Sequence, residues 1–173
     1  MTDLTITTPR LTMTPHSRDD FAELAAMWAD PRVVRLLGGA ANNAEESWAR
    51  LLRYAGCWAL MGHGMWAVRR ADSGAYLGDI GFLEARRTGV AGFDGDPEIG
   101  WSLNVAAQGQ GFATEAVQAA LAWGATRFRR TIAMINPDNT SSIAVARRCG
   151  FRHFADGTYK DAPTGLWEVH FGG

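Results

Sequence analysis

The run Gln108-Gly109-Gln110-Gly111-Phe112-Ala113-Thr114-Glu115 combines residue types that can hold a phosphate without a cationic side chain. Small residues at Gly109, Gly111 and Ala113 let successive backbone N–H groups point into one concavity. That concavity opens onto a predicted helix N-terminus, whose orphan donors and positive dipole end favour an anion. Each such dipole–charge contact contributes about 0.3–1 kcal/mol when exposed and up to roughly 2 when partly buried, so several donors together suit a diphosphate. No Lys stands near the loop. Two other nucleotide readings fail. A P-loop needs Gly-Lys-Ser/Thr, which is absent, and a dinucleotide-binding turn needs a third glycine where Thr114 stands. That turn also needs an acidic residue near the end of the next strand, which instead reads Thr131-Ile132-Ala133-Met134-Ile135-Asn136. Taken alone, the glycine turn is equally compatible with a purely structural strand-to-helix connection.

The chain that must position this loop has 173 residues, with 47% hydrophobic and 20% charged, and fits one domain over 1–173. Leu4 to Thr14 alternates as a strand, and Ser17 with Asp20 resembles a capping box before a helix carrying Phe21, Leu24, Ala25 and Trp28. A second helix spans about Ala44 to Leu60. Strands follow at Met65–Arg70 and Tyr76–Glu84, and a third runs from Glu98 to Val105 after the glycine- and charge-rich segment Arg86 to Asp96. Then come a helix over Phe112 to Phe128, a strand over Thr131 to Asn136, and a helix over Thr140 to Arg148 that stops at Gly150. Strands at Phe151–Thr158 and Leu166–Phe171 close the chain. The strand–helix–strand unit around the loop requires a crossover connection, hence a parallel pair. The expected architecture is α/β (α+β), a mixed and mostly antiparallel sheet with a central parallel pair.

Bulk properties narrow the function. A formal charge of −1 gives no electrostatic reason to expect nucleic acid or an anionic membrane as partner. Cys57 and Cys149 form no Cys-x-x-Cys pair and the four histidines show no ligand spacing, so no metal is expected. Met1-Thr2-Asp3-Leu4 carries no basic segment followed by an apolar run, and no apolar stretch reaches the roughly 18 residues of a membrane span. The expectation is a cytoplasmic monomer or homodimer.

Gln108-x-x-Gly111-x-Ala113 resembles the Gln/Arg-x-x-Gly-x-Gly/Ala signature of the GNAT acetyltransferases, and Gly109 to Ala116 is similar to their RimJ/RimL-type ribosomal-protein N-terminal branch. Thr8-Pro9-Arg10-Leu11, Glu98-Ile99-Gly100-Trp101 and Asn136-Pro137-Asp138-Asn139-Thr140-Ser141-Ser142, running on to Gly150-Phe151, agree with that branch in the family's order. The likeness covers nearly the whole chain and implies helices on both faces of the sheet. It also implies a CoA pyrophosphate held by the backbone of Gln108, Gly109, Gln110, Gly111, Phe112, Ala113 and Thr114, and transfer of acetyl from acetyl-CoA to an amine. The acceptor would be a small-molecule amine or a protein N-terminus.

The same resemblance assigns three tasks. A backbone N–H between Leu103 and Val105 would stabilise the acetyl oxygen, a contribution of the order of 10²–10³ in rate. Glu98 would take the amine proton, or else be a strand carboxylate paired with a nearby Arg. Relatives place a Tyr acid on the helix after the Asn-Pro turn, where this chain has Ala146. Ser142 is the candidate there to orient the sulfur or a water, and a thiol with pKa near 8.5 leaves readily unaided. Asn139 would bind the pantetheine arm while also capping its helix. Trp48, Trp58 and Trp66 are candidate walls of an acceptor side framed by Leu36 to Gly64 and Arg86 to Asp96, with core packing as the alternative for each. Cys149 reads as an inert buried thiol and Glu115 as a first-turn acid of its own helix. The missing Tyr keeps a second function open, a non-catalytic acyl-CoA-binding sensor with the same fold.

Overall fold

The computed structural model describes residues 4–37, 39–87, 90, 92 and 95–172. Eight strands form one sheet: β1 (Ile6–Thr7), β2 (Leu11–Pro15), β3 (Met65–Arg70), β4 (Tyr76–Leu83), β5 (Glu98–Leu103), β6 (Arg130–Ile135), β7 (Arg152–Tyr159) and β8 (Ala162–His170). Their spatial order is β1-β2-β3-β4-β5-β6-β8-β7, and every neighbouring pair is antiparallel except β5 and β6. Among the described residues five α-helices accompany it: α1 (Phe21–Trp28), α2 (Pro31–Val34), α3 (Ala44–Met61), α4 (Phe112–Gly124) and α5 (Thr140–Arg148). The architecture is the mixed, mostly antiparallel sheet with one central parallel pair that the sequence implied.

Alternation along β3 divides the core. Trp66 and Val68 face a cluster that includes Phe112, Ala116, Val117 and Ala120 of α4 and Val145 and Ala146 of α5. Met65 and Ala67 face the other way, against Leu24, Met27, Trp28, Val33, Leu51 and Tyr54 from α1, α2 and α3. Adjacent residues thus serve different layers, and the sheet carries helices on both faces.

Several boundaries differ from the sequence expectation, each for a local reason. The first strand is interrupted at Thr8-Pro9, where the Thr8 amide donates to the Leu11 carbonyl, and the two pieces pair with Ile6 opposite Met13. Proline offers no ladder donor, and the chain turns there. The extra helix α2 begins at Pro31, whose fixed φ suits a first turn, with the Asp30 side chain accepting from the Arg32 amide. α4 ends at Gly124 rather than Phe128: the Arg127 and Phe128 amides both fold back onto the Gly124 carbonyl, and the glycine lets Phe82 approach where a Cβ would lie 2.7 Å from it. Phe128 instead turns back to pack on Phe82, with ring centroids 4.9 Å apart. β8 starts at Ala162, four residues before the expected Leu166, after a tight turn in which Lys160 and Asp161 both hold positive φ.

Candidate functional site

The parallel pair makes the site. β5 and β6 are in register only at Glu98 opposite Ile132, where the Ile132 amide donates to the Pro97 carbonyl. Past this point the strands part, and a cavity of about 270 Å³ is lined by Ile99 to Ser102 on one side and Ala133 to Asn136 on the other. Its lining includes Asn139 and Ser142 from the α5 layer and Trp28, Arg50, Arg53 and Tyr54 from the α1–α3 layer. The cavity therefore runs through the sheet from one helical layer to the other.

On the α4 side, Gly109 and Gly111 adopt φ of 74° and 81°, a region that strains residues with a Cβ. Gly111 is the N-cap of α4, no side chain caps it, and the first intrahelical bond runs from the Glu115 amide to the Gly111 carbonyl. Among the described residues the amides of Phe112, Ala113 and Thr114 thus have no protein acceptor. An added Cβ at Gly109 would meet nothing within 4 Å, so the concavity is open. Donors, dipole and open space together fit a pyrophosphate.

The side chains flanking this loop hold its shape. Gln108 donates through Nε2 to the Leu103 carbonyl at 3.0 Å, and Gln110 Nε2 donates to the Ala106 carbonyl at 2.6 Å. Glu115 is a first-turn acid of α4, as the sequence implies, and its carboxylate also reaches the Thr8-Pro9-Arg10 turn. It accepts from Thr8 Oγ1 at 2.6 Å, the Arg10 amide at 3.0 Å and Arg10 Nε at 2.6 Å, while Arg10 Nη1 donates to the Gln110 carbonyl at 3.0 Å. Burial opposes its ionisation, but these donors hold the Glu115 carboxyl below the usual range. The Thr8-Pro9-Arg10 turn is thereby a brace across the glycine loop.

β5 supplies backbone to the opening. The Asn104 amide is committed to the Leu77 carbonyl at 2.8 Å, and antiparallel alternation then turns the Leu103 N–H and C=O the other way, toward the gap. Gly78 makes this pairing possible, since a Cβ there would lie 2.0 Å from the Ser102 carbonyl oxygen. Val105 opens a short 3₁₀ turn capped by Asn104. Across the gap, Asn139 caps α5 by accepting from the Ser142 amide at 3.1 Å and Ser141 Oγ at 3.1 Å. Ser142 Oγ accepts from the Trp101 indole N–H at 3.3 Å, so its own proton faces elsewhere.

Glu98 sits at the apex where the strands part, 7% exposed, and lines the cavity. Arg87 grips it with two bonds, Nε to Oε2 at 2.6 Å and Nη2 to Oε1 at 2.7 Å. Burial lowers the Arg87 pKa, but the Glu98 carboxylate outweighs that and raises it. The arginine partner that the sequence left unnamed is thus Arg87. Each Glu98 oxygen keeps a lone pair for a further donor.

The remaining wall was not anticipated. Trp66 is fully buried, Trp58 packs edge-on to it at 4.9 Å, and Trp48 sits edge-on to Phe21 at 5.2 Å, so these three are packing residues and none lines the cavity. Trp28 and Trp101 are the tryptophans that do. Behind Trp28 lies Asp79, fully buried, which accepts from the Trp28 indole at 2.7 Å, from His16 Nε2 at 2.9 Å and from the Tyr76 hydroxyl. His16 Nδ1 faces the Met65 carbonyl at 3.2 Å, so both ring nitrogens meet acceptors. Burial lowers the His16 pKa, but the Asp79 hydrogen bond and charge prevail and raise it. No spacing rule links residues 16, 28, 76 and 79; only the fold does.

Cys149, in the core cluster beneath α4 and α5, has its thiol pushed up to about 11 by burial, which removes thiolate character. Among the described residues no cluster of three or more His, Cys, Asp or Glu could hold a metal, and no helix is long and apolar enough to cross a membrane. Of the acceptor-side loop, Thr88, Gly89, Ala91, Phe93 and Asp94 lie outside the described residues.

Residues 10–152 match the acetyltransferase (GNAT) domain family. The uncharacterized N-acetyltransferase p20 of Bacillus licheniformis is 26% identical over 151 residues, covering 86% of this chain and 82% of its own. A solved acetyltransferase ascribed to the GNAT family from Bordetella pertussis superposes with a TM-score of 0.84 at 32% identity, over 95% of this chain and 98% of its own. RimL, the ribosomal L7/L12 α-N-protein acetyltransferase solved with coenzyme A, shares the fold with a TM-score of 0.78 at 17% identity, over 96% and 98%.

Proposed function

Because the chain belongs to the GNAT acetyltransferase family, we propose that it moves acetyl from acetyl-CoA directly to a primary amine entering from the α1–α3 side. The observation that carries this reading is the join between the row of unpartnered amides at Phe112 to Thr114 and the opening between β5 and β6. Acetyl-CoA supplies an acyl carbon activated by a thiol leaving group. Backbone amides of 109–114 hold the diphosphate, and Asn139, with its side-chain oxygen committed to Ser141 and Ser142, offers its NH₂ to the pantetheine arm.

The amine nitrogen attacks the thioester carbon, the C–S bond breaks, and the amine gives up one proton as the sulfur gains one. The Leu103 N–H, which faces the gap, is the donor for charge building on the acetyl oxygen, with the Val105 amide two residues on as the second candidate. Glu98, held in one orientation by Arg87, accepts the amine proton directly or through water. Ser142 orients the sulfur, its lone pair already occupied by Trp101. Cys149 takes no part.

Calorimetry with coenzyme A and with ATP tests the cofactor half: heat with the first and none with the second is expected, and no heat from folded protein with coenzyme A overturns the reading. Thiol release from acetyl-CoA across an amine panel tests turnover. Glu98→Gln should lower turnover and move the pH optimum upward, because more of the amine must then arrive already neutral. An unchanged rate and optimum would remove Glu98 from the proton path. Binding without thiol release on any amine would instead favour an acyl-CoA sensor.

A further inference from the structure

The acceptor half of the cavity is cationic. Among the described residues its charged lining consists of Arg50, Arg53, Arg87, Lys160 and a single carboxylate, Glu98, in a chain whose formal charge is −1. Arg87 is consumed by Glu98. Among the described residues, Arg50, Arg53 and Lys160 form no ion pair with any carboxylate, so the cavity wall carries positive charge that the protein itself does not neutralise.

Arg50 is moreover held in place. Its guanidinium lies 3.5 Å over the Trp28 ring, and Nη1 donates to the Tyr54 hydroxyl at 3.2 Å. Trp28 is itself fixed by its bond to buried Asp79. Nε of Arg50 is buried and has no partner, a donor left over after the wall is built. A flat cation fixed by an aromatic face in the cavity wall matches a planar or tetrahedral anion in the geometry that arginine favours.

Resting on the acetyltransferase reading, we propose that the acceptor is a small amine that also carries an anionic group, a carboxylate or a phosphate, bound by Arg50 with Arg53 beside it. The amine end then points to Glu98 and the anion to α3. A cavity of about 270 Å³ shared with the acetyl end suits a compact acceptor of this kind. Polyamines meet the wrong sign of charge.

The test measures binding of product analogues, so that amine pKa plays no part. Calorimetry, with and without coenzyme A, compares N-acetyl derivatives of the common amino acids with their carboxamides, and adds N-acetyl-O-phosphoethanolamine and N-acetylspermidine. At least one anionic analogue should bind tenfold or more tightly than its neutral counterpart. Arg50→Met should erase that preference, Arg53→Met should reduce it, and neither should change coenzyme A affinity more than about threefold. The phosphate arm against the carboxylate arm decides which anion is meant. Equal binding of acids and carboxamides, no binding by any anionic analogue, preferential binding of N-acetylspermidine, or loss of coenzyme A affinity in Arg50→Met would each overturn the proposal. Failure of coenzyme A to bind, with the anion preference intact, would sink the acetyltransferase reading and leave the anion subsite standing.

Discussion

The two sides of the β5–β6 opening are built by different means. Toward α4 and α5 the working groups are main-chain amides shaped by Gly109 and Gly111, and the side chains there serve the loop's geometry. Toward α1, α2 and α3 the working groups are side chains, Trp28, Arg50, Arg53 and Tyr54, aimed by contacts between segments far apart in sequence. A backbone cradle requires only conformation, so a short contiguous pattern encodes it. A side-chain wall requires tertiary placement, and it can change its ligand without disturbing the cradle.

The strongest way to break this contrast is to remove the carboxylate behind the wall. Asp79→Ala leaves the His16 imidazole, the Trp28 indole and the Tyr76 hydroxyl without a buried acceptor, and should cost about 3–5 kcal/mol in urea unfolding. A loss under about 1 kcal/mol would mean the wall stands without it. On the cradle side, Gly111→Ala forces a Cβ into φ of 81° and places it 3.4 Å from Arg10 Nη2. Strain of about 1–2 kcal/mol in the bound conformation should weaken coenzyme A binding roughly tenfold in calorimetry. Unchanged affinity would show that the loop amides are not the grip.

Legibility divides along the same line. The strand–glycine turn–helix unit was readable because Gly109, Gly111 and Ala113 act within one turn, and the parallel pair followed from the crossover. Glu98 and Ser142 were readable as cavity residues but not their partners: Arg87 lies eleven positions away across a loop, and the Trp101 indole reaches Ser142 across the opening. The tryptophans misled. Helical spacing selects Trp48 and Trp58 equally with core residues, whereas Trp28 is distinguished only by Asp79, which sits unannounced inside a strand buried along its whole length. Thr8-Pro9 was legible as sequence and not as a brace, because its partner Glu115 is over a hundred residues on.

That brace offers a smaller test. Glu115→Gln keeps the size of the side chain but removes the charge that pairs with Arg10, whose side chain is about half exposed. Solvent screens such a pair, so the expected cost is near 1 kcal/mol or less. It should appear as a few-fold weaker coenzyme A affinity, since Arg10 also holds the Gln110 carbonyl beside Gly111. Lost stability with unaltered affinity would confine the brace to folding.

The smallest effect is a pH dependence of the wall. Asp79 raises the folded-state pKa of His16 above the 6.5 of the free side chain. Stability from the protonated pair is therefore fully present below pH 6.5 and is lost as pH rises through the folded value. His63 acts in the opposite sense: burial lowers its pKa, so the folded protein loses stability as pH falls below 6.5. The two offset each other in a single melting curve. The difference in unfolding free energy between the native chain and His16→Gln cancels His63, because both proteins contain it. That difference should shrink as pH is raised from 6 upward, by no more than about 1.4 kcal/mol for each unit by which the pKa is displaced. A difference that stays level from pH 6 to 9 would show that the His16–Asp79 contact is held by a neutral imidazole, and would leave no cation buried behind Trp28.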